Sequence, residues 1–235
     1  MSTTGLKFLT IVTFGRSGST ILQSALNAHP GVIVRGENYN AFTGLWRYWT
    51  SIQDSAQRHH SGKPDHPWFG TAKLHPQSVL NDLHEHAVTR ILRPKATTEW
   101  TGFKEVRYER AYFPDSVTLL SYLLFLQELF PGLAFLFNIR DPMEAAKSGW
   151  WSTHPDAVQV LEHTNSNLER VAYDLEELLG SHRVQTLNHD YWKLDSTLIV
   201  HALTHLGFPV QADLVTEVLS THLTHGKSLG GVEQK

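Results

Sequence analysis

The chain has 235 residues, of which 41% are hydrophobic and 18% are charged, and its formal net charge is -3. This composition predicts one globular domain spanning 1–235 and argues against a general nucleic-acid binder, which would show a basic excess. Because the chain has no cysteine, disulfides, thiolate metal sites and a cysteine nucleophile are excluded. The sequence shows neither a secretory signal nor the roughly 18 consecutive apolar residues of a membrane span, so we expect a soluble, cytoplasmic protein with no stable membrane insertion.

The first half of the chain alternates short apolar runs with segments of helical spacing. Apolar runs that end in glycine or polar residues predict strands, and apolar residues that recur every three or four positions predict helices. In chain order we predict a strand at Lys7–Phe14, a helix at Thr20–Ala28, a strand at Val32–Arg35, an aromatic-rich helix from Ala41 to about Ala56, a helix at Pro76–Leu92 and a strand at Thr98–Val106. The segment at about residues 57–75 is loop-like and is predicted to be a mobile lid or an insertion.

The second half continues the same alternation. The predicted elements are a helix at Ser116–Phe130, a strand at Leu133–Ile139, a helix opened by Arg140-Asp141-Pro142, a helix at Val158–Leu179, a strand at Arg183–Leu187 and closing helices at Thr197–Leu206 and Ala212–Thr221. Strands that alternate with helices in this way favour an α/β fold. We therefore predict three layers, with a mainly parallel central sheet between flanking helices.

The loop after the first predicted strand, Gly15-Arg16-Ser17-Gly18-Ser19-Thr20, has the composition of an oxyanion site. A tight turn between a strand and a helix points backbone N–H groups into one concavity, and the helix dipole adds a positive field there. Arg16 supplies a fixed cation, and the hydroxyls of Ser17, Ser19 and Thr20 supply further donors. The alternative is a structural turn with an exposed arginine.

Two familiar nucleotide-binding loops fit this sequence poorly. A nucleoside-triphosphate loop requires a lysine after its second glycine, but Gly18 is followed by Ser19, and Thr13 stands where the first glycine belongs. The loop also lacks the G-x-G-x-x-G pattern of dinucleotide-binding folds. A kinase or nucleotide hydrolase with a degenerate loop is therefore kept only as an alternative.

The loop resembles the 5′-phosphosulfate loop, R-S-G-[ST]-[ST], of sulfotransferases that act on carbohydrates, lipids and protein tyrosine. Further matches follow in the order that this family requires. The segment at 28–37 reads A-H-P-G-V and then R-G-E, as in tyrosylprotein and related sulfotransferases, and F-L-F-N-I-R-D-P at 135–142 resembles the second signature. The segment V-Q-T-L-N-H-D-Y at 184–191 is a looser match to a late strand, with His189-Asp190 in place of the usual glutamate.

The resemblance implies the P-loop-like sulfotransferase fold, a donor and a set of site residues. The donor would be 3′-phosphoadenosine 5′-phosphosulfate, and the product would be adenosine 3′,5′-bisphosphate. The implied roles are binding of the 5′-phosphosulfate by Arg16, Ser17, Gly18, Ser19 and Thr20, binding of the 3′-phosphate by Arg140 and Ser148, and activation of the acceptor by Glu37 as the general base.

The chemistry of sulfuryl transfer is consistent with these residues. The reaction resembles phosphoryl transfer in its in-line, charge-spreading transition state, so Arg16 would also act in catalysis by stabilising charge on the bridging oxygen. An acceptor hydroxyl must lose a proton, and Glu37 is the candidate base. We expect the pKa of Glu37 to be raised by a neighbouring donor sulfate. The alternative for Glu37 is a turn with a solvated carboxylate.

The sequence does not decide the roles of several other residues. For Lys104 and Glu105 the two alternatives are that they line the acceptor side or that they form a surface ion pair. One of Trp150 and Trp151 is a candidate to stack on the nucleotide or on an acceptor ring, because two adjacent tryptophans cannot both face one core. The histidines lack metal-ligand spacing, so no metal is expected. Of these histidines, His59 and His60 would contact the acceptor if their loop folded over it.

The sequence does not identify the acceptor. We expect a hydroxyl on a small molecule, a lipid or a saccharide, with no nucleic-acid partner. The oligomeric state is open, with a homodimer as one option. An inactive module that grips sulfated or phosphorylated ligands is the third hypothesis, and Glu37 argues against it because a pure binder of anions has no use for a carboxylate there.

Overall fold

The computed structural model describes residues 5–58 and 62–228. Within these residues five strands form one sheet, and every pairing in it is parallel. The strands are β1 (Lys7–Thr13), β2 (Val32–Arg35), β3 (Trp100–Glu105), β4 (Ala134–Ile139) and β5 (Val184–Asn188). Their order across the sheet is β2-β3-β1-β4-β5.

Helices connect the strands, as parallel pairing requires. They are α1 (Ser19–Asn27), α2 (Ala41–Arg58), α3 (Pro76–His86), α4 (Ser116–Leu129), α5 (Pro142–Ala146), α6 (Ala157–Leu179), α7 (His189–Trp192), α8 (Thr197–His205) and α9 (Ala212–Ser228). None of the helices in the described ranges is both long and apolar enough to cross a membrane.

The core lies in two layers, one on each face of the sheet. Alternate residues of β1 serve the two layers, since Phe8 and Val12 pack with one cluster and Leu9 and Ile11 with the other. The first cluster contains residues of α2, α3, α4 and α6, and the second contains residues of α1, α8 and α9. This arrangement confirms the predicted three-layer α/β fold with a parallel central sheet.

Most element boundaries agree with the sequence predictions, and the differences are local. The predicted helix at Pro76–Leu92 is regular only to His86 and continues as a wider π-helical turn at Ala87–Leu92. Two short elements were not predicted, namely the one-turn helix α7 and a 3₁₀ turn at Gly149–Thr153. Both are too short to show a hydrophobic period.

The predicted lid at residues 57–75 is only partly described. Its first two residues belong to α2, and Thr71–Lys73 form a short 3₁₀ turn. His59 and His60 lie outside the described residues, so closure over a site stays a prediction.

The sheet topology identifies the carboxyl ends of β1 and β4 as the expected position of a ligand site. The chain leaves β1 toward β2 on one side and leaves β4 toward β5 on the other, so the strand order reverses between β1 and β4. In open α/β sheets the crevice at such a point, beyond the carboxyl ends of the strands, is the usual ligand site. The loops that follow β1 and β4 both lie there.

Candidate active site

A cleft of about 380 Å³ lies beyond the carboxyl ends of the central strands. It is lined by Gly15, Arg16, Gly18, Ser19, Thr20, Ile21, Glu37, Lys104, Val106, Arg140, Ser148 and Trp150. Of the site residues predicted from the sequence, all but Ser17 line this cleft. Segments more than 120 residues apart in sequence therefore meet in one place.

Buried hydrogen bonds to β1 and β4 hold the loop between β1 and α1 on its interior side. Ser17 is fully buried, its hydroxyl lies 2.6 Å from that of Thr13, and Asn138 donates a hydrogen bond to its carbonyl at 2.8 Å. The side chain of Ser17 thus faces the protein interior, and only its backbone is left to face a ligand. Asn138 is itself held by the indole N–H of Trp192 at 2.8 Å.

The upper side of the loop is strained and open. Arg16 has a φ of 70° and Gly18 a φ of 81°, both in the left-handed region that an ordinary side chain avoids. Within the described chain, no side chain caps the start of α1 at Gly18, so the first N–H groups of the helix are available to an anion. Ser19 and Thr20 stand at this start.

Arg16, Arg140 and Ser148 are joined directly. Arg16 Nε donates to Ser148 Oγ at 3.1 Å, and Arg140 Nη1 donates to the carbonyl of Arg16 at 2.7 Å. Gly149 makes room for this contact, because a Cβ there would lie 2.8 Å from Arg16 Nε. Among the described residues, Arg140 Nε is buried without a hydrogen-bond partner. The two anion sites inferred from the sequence are therefore neighbours that share one cleft.

Glu37 stands across the cleft in an ion-pair network. Its carboxylate accepts from Lys104 Nζ at 3.0 Å and from Arg107 Nη1 at 3.1 Å. The Lys104 side chain is 6% exposed, and its ammonium also lies 3.4 Å from Thr20 Oγ1. Lys104 thus bridges the loop at Gly15–Thr20 (the anion loop) and the candidate base Glu37.

The network changes the expected acidity of Glu37. Burial alone would raise the pKa of Glu37, but the hydrogen bonds and charges of Lys104 and Arg107 outweigh it and lower that pKa below its ordinary value. In the protein without a donor, the two cations that the fold brings to the carboxylate therefore set the direction of the shift. The rise that a neighbouring donor sulfate would cause stays a prediction.

Glu105 fixes the turn that contains Glu37. Its buried carboxylate accepts from the backbone N–H groups of Asn38 at 3.3 Å and Asn40 at 2.9 Å, and from Arg107 at 3.1 Å. This holds Tyr39 and Asn40 in the left-handed conformation, with φ of 58° and 56°. The idea of a surface Lys104–Glu105 ion pair is wrong, because both side chains are buried and have different partners.

The two adjacent tryptophans have different environments, as the sequence suggested. Trp151 is buried and donates its indole N–H to the carbonyl of Gly15 at 3.0 Å. Trp150 is 56% exposed and lines the cleft. Stacking of Trp150 on the nucleotide or on an acceptor ring stays a prediction.

Sequence reasoning underrated Lys104 and missed Arg107 as partners of Glu37. The available signal was their place at the end of a predicted strand, G-F-K-E-V-R-Y. In the part of the chain that the structure describes, no three His, Asp or Glu side chains come together as a metal site.

Comparison with known proteins bears on the family. The model of the sulfotransferase family matches residues 9–196, whereas a search of curated proteins found no significant match. Among solved structures, the chain is similar to the sulfotransferase domain of the Synechococcus PCC 7002 olefin synthase, at 16% identity and a TM-score of 0.55 over 88% of this chain and 75% of that one. A sulfotransferase from Alicyclobacillus acidocaldarius aligns at 13% identity and a TM-score of 0.43 over 94% of each chain.

At 16% identity, the similarity to the Synechococcus domain shows a shared fold and nothing finer. That fold agrees with the parallel α/β sheet described above. The family match covers most of the chain and includes the loop after β1, the turn with Glu37 and the segment after β4. Together they confirm the resemblance inferred from the sequence: the chain belongs to the sulfotransferase family.

Proposed function

We propose that the protein transfers a sulfuryl group from 3′-phosphoadenosine 5′-phosphosulfate to an acceptor hydroxyl, with Glu37 as the general base. The observation that supports this most directly is the contact chain from Thr20 through Lys104 to Glu37. It puts an ionised carboxylate, held by Lys104 and Arg107, beside the loop proposed to bind the donor, where an acceptor hydroxyl could meet both.

The residues of the cleft fit this donor. The donor has a sulfate, a 5′-phosphate and a 3′-phosphate, and the cleft presents Arg16, Arg140 and Lys104 together with the start of α1. The buried Nε of Arg140, which has no partner among the described residues, is a donor in need of an acceptor. An anionic oxygen would satisfy it.

The cations would divide the work of binding and catalysis. Arg140 and Ser148 would bind the 3′-phosphate, while Arg16, Ser19, Thr20 and the N–H groups of the loop would bind the phosphosulfate. As the sulfuryl group leaves, negative charge grows on the bridging oxygen, and Arg16 would stabilise it from one side of the cleft. Lys104, next to Thr20, would add a second cation there.

Glu37 would receive the proton of the acceptor. The acceptor oxygen forms its bond to sulfur as the bond from sulfur to the bridging oxygen breaks, and the hydroxyl proton passes to the carboxylate. The lowered pKa keeps Glu37 ionised at neutral pH, so the base is in its active form before the acceptor binds. Donor anions near Lys104 would weaken its hold on Glu37 and make the carboxylate more basic.

A binding experiment separates this function from that of a degenerate nucleotide-triphosphate loop. Adenosine 3′,5′-bisphosphate should raise the melting temperature of the protein more than ATP with Mg²⁺ does, because only the former has a 3′-phosphate for Arg140 and Ser148. The reverse ranking would overturn the proposal. A screen of hydroxylated acceptors with labelled donor would then identify the acceptor.

A further inference from the structure

A second cleft, of about 370 Å³, adjoins the first. Glu37, Val106 and Trp150 line both clefts. The remaining wall of the second cleft consists of Arg107, Glu109, Arg110, Ala111, Tyr112, Trp151, His154 and Val160. A ligand in this cleft can thus reach Glu37 without entering the anion loop.

The wall of the second cleft suits a flat apolar body. Trp150 and Tyr112 are 56% and 40% exposed, which is unusual for large aromatic side chains and leaves their rings available for contact. Ala111 and Val160 add apolar surface without bulk. The volume falls in the range of small-molecule sites, roughly 300–1,000 Å³.

One polar group in this wall lacks a partner. Oε2 of Glu109 is buried and makes no hydrogen bond within the described residues. Burial raises the pKa of Glu109 to about 6; a hydrogen bond from its own backbone N–H and the charge of Arg107 oppose the rise, and the charges of Glu105 and Glu37 add to it. Glu109 lines the cleft, and the last torsion of a glutamate is soft, so rotation of the carboxylate can offer this oxygen to a donor bound there.

The charges of the second cleft balance. With the partners just outside the cleft included, Glu37, Glu105 and Glu109 stand against Lys104, Arg107 and Arg110. A strongly charged ligand would leave one of these groups uncompensated, whereas a neutral ligand would not.

We propose that the second cleft binds the acceptor, and that this acceptor is a neutral, ring-sized apolar alcohol or phenol with a second hydrogen-bond donor that Glu109 recognises. The proposal rests on the proposed function for the role of Glu37. It assigns the first hydroxyl to Glu37 for transfer and makes Glu109 a specificity-determining residue. A saccharide, whose several hydroxyls would need more polar partners, and a long-chain lipid, which exceeds a cleft of about 370 Å³, are the less suitable acceptors.

Two probes that differ by one hydroxyl test this assignment. Affinities of 4-(2-hydroxyethyl)phenol and 4-ethylphenol for the free protein would be measured by ligand-observed NMR, without nucleotide. We expect the diol to bind about tenfold more tightly, the value of one hydrogen bond to a charged group. In Glu109→Leu the two probes should bind equally, and in Glu109→Gln, which keeps the size but loses the charge, the preference should fall several-fold.

A control and a separate readout keep the result interpretable. Glu128, whose pKa is also raised by burial, lies on α4 and does not line the cleft, so Glu128→Leu should keep the preference for the diol. Binding of adenosine 3′,5′-bisphosphate by each variant reports whether the fold is intact. Equal binding of both probes to the unmodified protein, or a preference that survives in both Glu109 variants, would overturn the inference. Probe binding as expected without adenosine 3′,5′-bisphosphate binding would instead overturn the proposed donor.

Discussion

Replacing Glu37 by glutamine tests the proposed base most sharply, because the change removes a charge and almost no volume. The amide oxygen can still accept a hydrogen bond from Lys104 or Arg107, so the turn should keep its shape. General-base catalysis contributes about 100- to 10,000-fold to a rate, and the rate of transfer should fall by that factor. Binding of adenosine 3′,5′-bisphosphate should not weaken.

Binding of this nucleotide should in fact improve slightly in Glu37→Gln. A unit charge acting on an anion over a distance on the order of 10 Å in water costs about 0.4 kcal/mol, and removing it should tighten binding about twofold. A lower dielectric in the cleft would enlarge the gain, and added salt would reduce it. The direction distinguishes a carboxylate that repels the donor from one that merely supports the fold.

The assay is single-turnover transfer from labelled donor, combined with calorimetric titration of adenosine 3′,5′-bisphosphate. Asp174→Asn is a matched control, since Asp174 also pairs with an arginine, at 3.0 Å, and its side chain is 24% exposed against 34% for Glu37, but it lies on α6. The control should change neither measurement. Unchanged transfer in Glu37→Gln would refute its role as base, and an equal loss of transfer and nucleotide binding would show that Glu37 is structural.

Three further substitutions probe the cations and the loop. Arg140→Ala should weaken adenosine 3′,5′-bisphosphate by about 10- to 100-fold, the value of charged hydrogen bonds, and adenosine 5′-phosphate far less; equal losses in a titration would show that Arg140 does not contact the 3′-phosphate. Lys104→Ala removes one of the two cations that lower the pKa of Glu37, so the acidic limb of the pH–rate profile should move to higher pH. An unmoved limb would contradict this pairing. Gly149→Ala places a Cβ 2.8 Å from Arg16 Nε at a φ of 60°. Urea denaturation should therefore show a free energy of unfolding lower by about 1–2 kcal/mol, and nucleotide binding should weaken. Wild-type values for both would show that Arg16 does not need this space.

The fold was predictable because its signals are local and repeated. Each strand is a short apolar run, each long helix has its own period, and the parallel sheet follows from their alternation. The loop at Arg16–Thr20 was identifiable for a similar reason, since a strand, a small-residue turn and a helix start are adjacent in sequence. Its place at the edge of the sheet follows from the topology.

The environment of the individual side chains was much less predictable. Ser17 has the same hydroxyl as Ser19, and only the packing of β4 under the loop decides that one faces the interior and the other the cleft. Nothing in the sequence near Ser17 encodes this difference. Its partner Asn138 is 121 residues away.

Glu37 shows why acidity in particular required the tertiary structure. The sequence placed a carboxylate near a predicted anion site, and from that neighbour alone a raised pKa follows. The order β2-β3-β1, however, sets the ends of β2 and β3 next to each other, and so brings Lys104 and Arg107 to the same carboxylate. The sign of the shift is decided by which strands are neighbours. A base held ionised by two cations should gain strength only when anions draw those cations away, so in this cleft binding of the donor would itself prepare Glu37 for the acceptor.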